Sequence, residues 1–168
     1  MATLTNEYVQ SRIASQFGDK ITEQVESYGM LTVTVHHEAY FDLIKWLKED
    51  AEINCMFLTD LTAAHYPDRK EEELNVVVHL HNLPANFRIR VKTYIASAHP
   101  HLPSLTPLYK GANWMERESF DFFGVKFTGH PKLKTILNVD DMDYHPMLKQ
   151  YPMEDQTRED KDNKYFGR

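Results

Sequence analysis

The sequence predicts an α+β fold: a mostly antiparallel sheet with helices packed on one face, short C-terminal helices and an extended C-terminal arm. Three observations predict it. The apolar spacing switches between helical and alternating periods along the chain, so helices and strands share one sequence. The sections run helix, strands, helix, strands, then short helices, an order that places helices on one face of an antiparallel sheet rather than around a parallel one. From about Asn138 the chain turns acidic and loses apolar periodicity, with Asp140, Asp141, Asp143, Glu154, Asp155, Glu159, Asp160 and Asp162 among scattered aromatics. Such a tail cannot bury enough surface to fold alone, and isolated apolar residues on an extended arm suit wrapping a partner. The domain organisation follows: an α+β domain over 1–137 and a partner-binding arm over 138–168.

In order, Thr3 or Thr5 can cap a first helix that carries Val9, Ile13 and Phe17 and stops at Gly18. Ile21–Tyr28 and Met30–His36 read as strands hinged at Gly29, the second alternating Leu31, Val33 and Val35 with Thr32, Thr34 and His36. Tyr40, Leu43, Ile44 and Leu47 form a helical stripe ending near Asp50. Ile53–Leu58 is a short apolar run, read as an inner strand, before a polar loop from Pro67 to Glu73. Leu74–His81 and Phe87–Tyr94 are the clearest strands. Burial of one common face favours the register with Leu80 opposite Phe87 over the symmetric one with Leu80 opposite Arg88. His79, His81, Arg88, Arg90 and Lys92 then share the outer face, either as a solvated surface or as a docking surface. His99 to Pro107 holds three prolines and is expected to be largely irregular.

The stretch Gly111–Gln150 concentrates the local signals. Asn113 is a good N-cap with Glu116 three residues on, as a capping box requires. Glu116 and Glu118 suit a first turn, and Gly124 suits a left-handed C-terminal cap. A helix over Trp114–Phe123 is therefore predicted. Asp121 sits at the wrong end of the dipole and needs a partner, with Arg117 the nearest by sequence. Val125–Phe127 is extended, Thr128-Gly129-His130-Pro131 turns, and Pro131 can open a second short helix burying Leu133, Ile136 and Leu137.

Bulk properties exclude several functions. The chain has 168 residues, one domain's worth, and a net charge of −6, which argues against generic nucleic-acid binding. Its one cysteine, Cys55, excludes an internal disulfide, fits a reducing compartment, and cannot hold an iron–sulfur cluster. No apolar run reaches a membrane-span length. The segment MATLTNEYVQSR has no apolar h-region and no transit-peptide character, so neither a secretory nor a mitochondrial signal is expected.

Tests for chemistry come back mostly structural. Of the nine histidines, His79/His81 share a strand face, His99/His101 flank Pro100, and His36/His37 face opposite sides. No HExxH or CxxC accompanies them. His130 could titrate near neutral pH, but its place in the turn suits hydrogen bonding to backbone. Glu116, Glu118 and Asp121 resemble a carboxylate cluster, yet Glu116 and Glu118 diverge on a helix. GxGxxG, the P-loop and a nucleophile elbow are all absent. No catalytic, cofactor-binding or metal-ligating residue is assigned, and a scaffold or interaction domain is expected.

The string Glu116-Arg117-Glu118, Asp121, Phe123-Gly124-Val125, Phe127, Gly129-His130-Pro131, Leu133 and Ile136-Leu137 resembles the signature of the C (30 kDa) subunit family of proton-pumping NADH:quinone oxidoreductase, respiratory complex I. His145-Pro146-Met147-Leu148-Lys149 and Tyr151-Pro152 resemble the same family's next motif. The close match runs from Ser104 to Pro152, with departures at Lys134, Thr135, Tyr144 and Gln150. The resemblance implies a non-catalytic subunit of the hydrophilic arm. The whole complex passes electrons from NADH to quinone and couples this to proton translocation; flavin and iron–sulfur clusters lie in partner subunits and no cofactor lies in this chain. It implies packing against the D-type (49 kDa) subunit and other hydrophilic-arm subunits, and a peripheral place on the bacterial cytoplasmic face of the inner membrane, held only through partners. The expected interface comprises Glu116, Arg117, Glu118, Asp121, Gly129, His130, Pro131, His145, Pro146, Leu148, Tyr151 and Pro152. The alternatives are the equivalent subunit of a related membrane-bound hydrogenase or other donor complex, and a small His-dependent metalloenzyme.

Overall fold

The structure, a computed structural model, describes residues 4–152. Helix α1 (Asn6–Phe17) starts where the Thr5 hydroxyl accepts the Tyr8 N–H and ends at Gly18. Strands β1 (Ile21–Ser27) and β2 (Met30–Val35) form a hairpin with Ser27 opposite Met30. The two loop residues, Tyr28 and Gly29, both have positive φ (54° and 74°), the combination whose twist matches a two-residue hairpin. Helix α2 (Tyr40–Glu49) buries Tyr40, Leu43, Ile44 and Leu47. Arg12 of α1 pairs at 2.7 Å with Asp50, whose carboxylate also accepts the Glu52 and Ile53 N–H groups and so fixes the end of α2. Strands β3 (Phe57–His65), β4 (Leu74–Asn82) and β5 (Phe87–Ile95) follow. After β6 (His101–Pro103) come α3 (Ala112–Phe123) and β7 (Lys126–Thr128), which pairs parallel with β6.

The main sheet has the order β1-β2-β5-β4-β3; only β2 and β5 are parallel. The chain leaves β2 through α2, reaches the far edge as β3, and returns strand by strand to the middle. The α+β reading and the mostly antiparallel sheet hold. Val9 and Ile13 of α1, the α2 stripe, and the inward rows of Leu31, Val33, Val76, Val78, Leu80, Ile89 and Val91 join in one core cluster. Burial of this size, roughly 25 cal/mol per Å² of apolar surface, is what holds the helices to the sheet.

Several local expectations are corrected. The strand read over Ile53–Leu58 lies instead at Phe57–His65 and is an edge strand, not an inner one. A register shift between Leu58 and Asp60 places two polar residues between Leu58 and Leu61, which hides the alternation. Ile53 and Cys55 are buried in the connection before it. The β4–β5 hairpin keeps Leu74, Val76, Val78, Leu80, Phe87, Ile89 and Val91 on one face, with Val77 and Tyr94 on the other, but Leu80 stands opposite Ile89, not Phe87. Both registers satisfy burial, and turn chemistry decides between them. Asn82 closes the hairpin opposite Phe87, its side chain accepts the Ala85 N–H, and its amide donates to the Ile53 carbonyl. Helix α3 begins at Ala112 after Gly111, with no side-chain cap, so Asn113 and Glu116 form no capping box. The second helix expected from Pro131 is absent: residues 131–138 run through turns and bends, and Leu137 is exposed. A three-residue strand, β6, also interrupts the proline-rich segment expected to be largely irregular.

Candidate interaction site around helix α3

Helix α3 presents two carboxylates in different directions. Glu116 points inward and is fully enclosed. Its oxygens accept from the Ser104 hydroxyl and the Leu105 N–H, each at 2.6 Å, which ties the loop before α3 to the helix. The enclosed Tyr40 phenol lies close enough to feel its charge. Burial pushes the Glu116 carboxyl up to about 7 despite these two donors.

Asp121 is also buried, and its partner is not Arg117. One oxygen accepts the backbone N–H groups of Ile136, Leu137 and Asn138 at 3.0, 2.8 and 3.0 Å, and the other accepts the Asn138 side-chain amide at 3.0 Å. Burial alone would raise this carboxyl, but these donors hold it below the usual carboxylate range. The same bonds explain the missing helix, because N–H groups spent on Asp121 cannot close helical turns on residues 132–134. Arg117 reaches the same segment from one turn earlier. Its guanidinium donates to the carbonyls of Lys134 and Thr135 at 3.2 and 3.0 Å and lies 4.8 Å from the Trp114 ring centre. Two side chains of α3 thus hold the backbone from Lys134 through Asn138, one by its carbonyls and the other by its N–H groups.

The two His-Pro motifs lock the flanks. His130 Nδ1 accepts the Lys132 N–H at 3.0 Å, so Nε2 carries the proton it donates to the Asn113 carbonyl at 3.0 Å. His145 Nδ1 donates to the Asp121 carbonyl at 2.9 Å, and its ring meets Phe120 edge-on. Gly124 is required twice over here. Its φ is +80°, and a Cβ would stand 2.6 Å from the His145 ring. Beyond, the Met147 N–H donates to the Phe122 carbonyl and the Lys149 N–H donates to His65 Nδ1, while Leu148 packs against the core cluster. The stretch from Asn138 to Pro152 therefore returns along the body; the rest of the expected arm, residues 153–168, lies outside the described residues.

Of the expected interface residues, Glu116 and Asp121 face inward and shape the surface rather than form it. Glu118, Gly129, Pro131 and Pro152 are exposed; Arg117, His130, His145, Pro146, Leu148 and Tyr151 are partly buried. Sequence reasoning missed Ser104, Asn138 and His65, whose roles depend on segments brought together only by the fold. It also missed that Trp114, Leu137 and Val139 are exposed. Trp114 is 62% exposed and Leu137 65%, with Val139 and Met147 also open to solvent. These side chains flank the backbone that Arg117 and Asp121 hold. Cys55 is enclosed and its thiol is pushed up to about 12 by burial, and among the described residues no three His, Cys, Asp or Glu side chains stand together as a metal site.

Residues 33–157 match the model of the family described as the respiratory-chain NADH dehydrogenase 30 kDa subunit. The C subunit of the NADH-quinone oxidoreductase of Citrifermentans bemidjiense is 38% identical over 148 residues, covering 88% of this chain and 90% of that one. Among solved structures, a trypsin-resistant fragment of Nqo5 superposes with a TM-score of 0.65 at 29% identity, covering 76% of this chain and 98% of the fragment. A chain of a membrane-bound sulfane sulfur reductase, an archaeal respiratory membrane complex, superposes with a TM-score of 0.74 at 26% identity, covering 88% and 85%.

Proposed function

The chain belongs to the 30 kDa subunit family of respiratory-chain NADH dehydrogenase, and from that premise we propose that it is the C-type subunit of the hydrophilic arm of NADH:quinone oxidoreductase. It is a member of an oxidoreductase complex whose contribution is positional. The flavin and iron–sulfur clusters sit in partner subunits, this chain has no active site of its own, and it holds cofactor-bearing neighbours at fixed separations for electron transfer from NADH to quinone. Its principal partner is the D-type (49 kDa) subunit. Its place is peripheral, on the cytoplasmic face of the bacterial inner membrane and reached through partners; among the described residues no helix is long and apolar enough to cross a membrane.

The observation that carries this reading is the α3 clamp. Arg117 and Asp121 fix residues 134–138 in an irregular path that leaves Trp114, Leu137 and Val139 exposed along it. Rigid presentation lowers the ordering cost of docking. The contact face then comprises the exposed side of α3 with Arg117 and Glu118, the Gly129-His130-Pro131 turn, and the arm from Asn138 through His145, Pro146, Leu148, Tyr151 and Pro152. Arg117→Glu combined with truncation after Leu137 is expected to abolish co-purification with the D-type subunit from native membranes, with circular dichroism of the isolated variant checking that the domain still folds. Assembly that survives both changes refutes the contact.

A second reading rests on one observation, the likeness to a chain of a sulfane sulfur reductase complex. On it, the same clamp would serve the equivalent position in a complex fed by another electron donor. Identification of the subunits that co-purify with the chain separates the two.

A further inference from the structure

The outward face of the five-stranded sheet carries a block of cations that the α3 contact does not use. Thr32, Arg90, His79 and Asp60 stand in register across four strands, with Thr34 and Lys92 beside them on one side and Arg88 opposite His81 on the other. Arg88, Arg90 and Lys92 cluster here although the chain as a whole carries −6. Arg90 Nε donates to His79 Nε2 at 2.8 Å, so the His79 proton sits on Nδ1, 3.7 Å from Asp60 and beyond hydrogen-bond range. On this same face Thr32 Oγ1, Asn75 Nδ2, His79 Nδ1 and His81 Nε2 are closed off from water and take no hydrogen bond; His81 is only 7% exposed. These atoms are sealed within the chain itself, and the groups on this face that stay open to a partner are the Arg88, Arg90 and Lys92 side chains beside them.

We propose that this face docks an acidic segment of a neighbouring subunit, its carboxylates seated over the His81–Arg88 and His79–Arg90 pairs. The proposal rests on the reading of the chain as an assembled subunit. Carboxylates fit because they only accept hydrogen bonds, and this face offers guanidinium and ammonium donors at the spacing of neighbouring strands. A metal ion does not fit, since the Arg90 guanidinium already occupies His79 Nε2 and Arg88 stands against His81. A nucleic acid does not fit a chain whose remaining surface is acidic.

Lys92, which is half-buried, gives the test. Amine acetylation mapped by mass spectrometry is compared between the isolated chain, at low and high concentration, and the complex purified from native membranes. Carbodiimide coupling of the complex is run alongside. The expected result is loss of Lys92 labelling in the complex only, together with a zero-length product joining Lys92 to an Asp or Glu of another subunit. Lys92→Arg, which has no primary amine to couple, should remove that product. Lys92 labelled equally in both states overturns the docking surface while leaving the proposed function standing. Protection without a coupled carboxylate overturns the acidic occupant. Protection in the isolated chain that grows with concentration, or coupling to a second copy, assigns the face to self-association and overturns the proposal. Absence of the chain from the complex overturns both readings.

Discussion

Glu116→Gln should uncouple the stability of the domain from pH. The wild-type carboxyl is pushed up to about 7 by burial from an ordinary value of 4.5. A group with a raised folded-state value favours the folded chain when protonated. Its contribution is therefore complete below the unfolded-state value and is lost as pH rises through the folded one. Over the whole window the raised value corresponds to about 3 kcal/mol, at about 1.4 kcal/mol per unit. Between about pH 5.5 and 8.5, linkage gives a loss of about 2 kcal/mol in the wild type. Glutamine keeps the shape and the acceptor for the Leu105 N–H, and turns a donor toward the Ser104 hydroxyl, so no charge is left to expel. Tyr40, held well above its ordinary value of 10.0 mainly by burial, stays neutral over this range in both proteins, and the other titrating groups are common to both. Guanidinium unfolding of the isolated chain across this range, with equal slopes, should show the variant gaining about 2 kcal/mol on the wild type toward high pH. Parallel stability curves would refute the reasoning, because they mean that the enclosed carboxylate ionises without penalty.

Asp121→Asn should loosen the clamp rather than the core. It removes the charge that gathers three backbone N–H groups and sets an amide donor against the Asn138 amide, for a loss of about 2–3 kcal/mol. Hydrogen exchange at Ile136, Leu137 and Asn138 should accelerate first, while β4 and β5 amides stay protected. In the wild type, Asp121 has a lowered folded-state value, so its contribution is present above the ordinary value of 3.8 and is lost as pH falls through the folded one; an arm that stays protected in acid would contradict this. Gly124→Ala should cost about 1–3 kcal/mol, from strain at φ +80° and from collision with the His145 ring. In a double-mutant cycle with His145→Ala the costs should fall short of additive by at least about 0.5 kcal/mol; strict additivity would mean that the ring does not sit there.

Where one periodicity governed a segment, the sequence was readable. Leu31, Val33 and Val35, or the α2 stripe, announce their partners because burial leaves no alternative. Legibility ended where a single contact outweighed a pattern. Two registers of β4 against β5 bury the same residues, and Asn82 selects between them through one turn bond and one bond to Ile53. The edge strand β3 disappeared from view because one register shift breaks its alternation. Asn113 and Glu116 have the spacing of a capping box, and no local rule could reveal that Glu116 serves Ser104 and Leu105 instead. Pro131 and the apolar residues after it look helical, and only the fold shows their N–H groups already engaged.

Glu116 and Asp121 make the same point from the side of function. They lie five positions apart on one helix and are both enclosed, yet their environments push them in opposite directions. The difference is in donors. Glu116 receives one hydroxyl and one N–H, too few to offset its burial, whereas Asp121 receives three N–H groups and an amide. A carboxylate at the C-terminal end of a helix opposes the dipole, and in an exposed helix that arrangement would be a liability. Here it draws three N–H groups from a segment that would otherwise wind into a helix of its own. The cost to α3 is local, and the result is a fixed backbone from Lys134 to Asn138 from which the arm departs. Under the proposed function, the contact face has to be set before the neighbours arrive, and Asp121 is the residue that would set it.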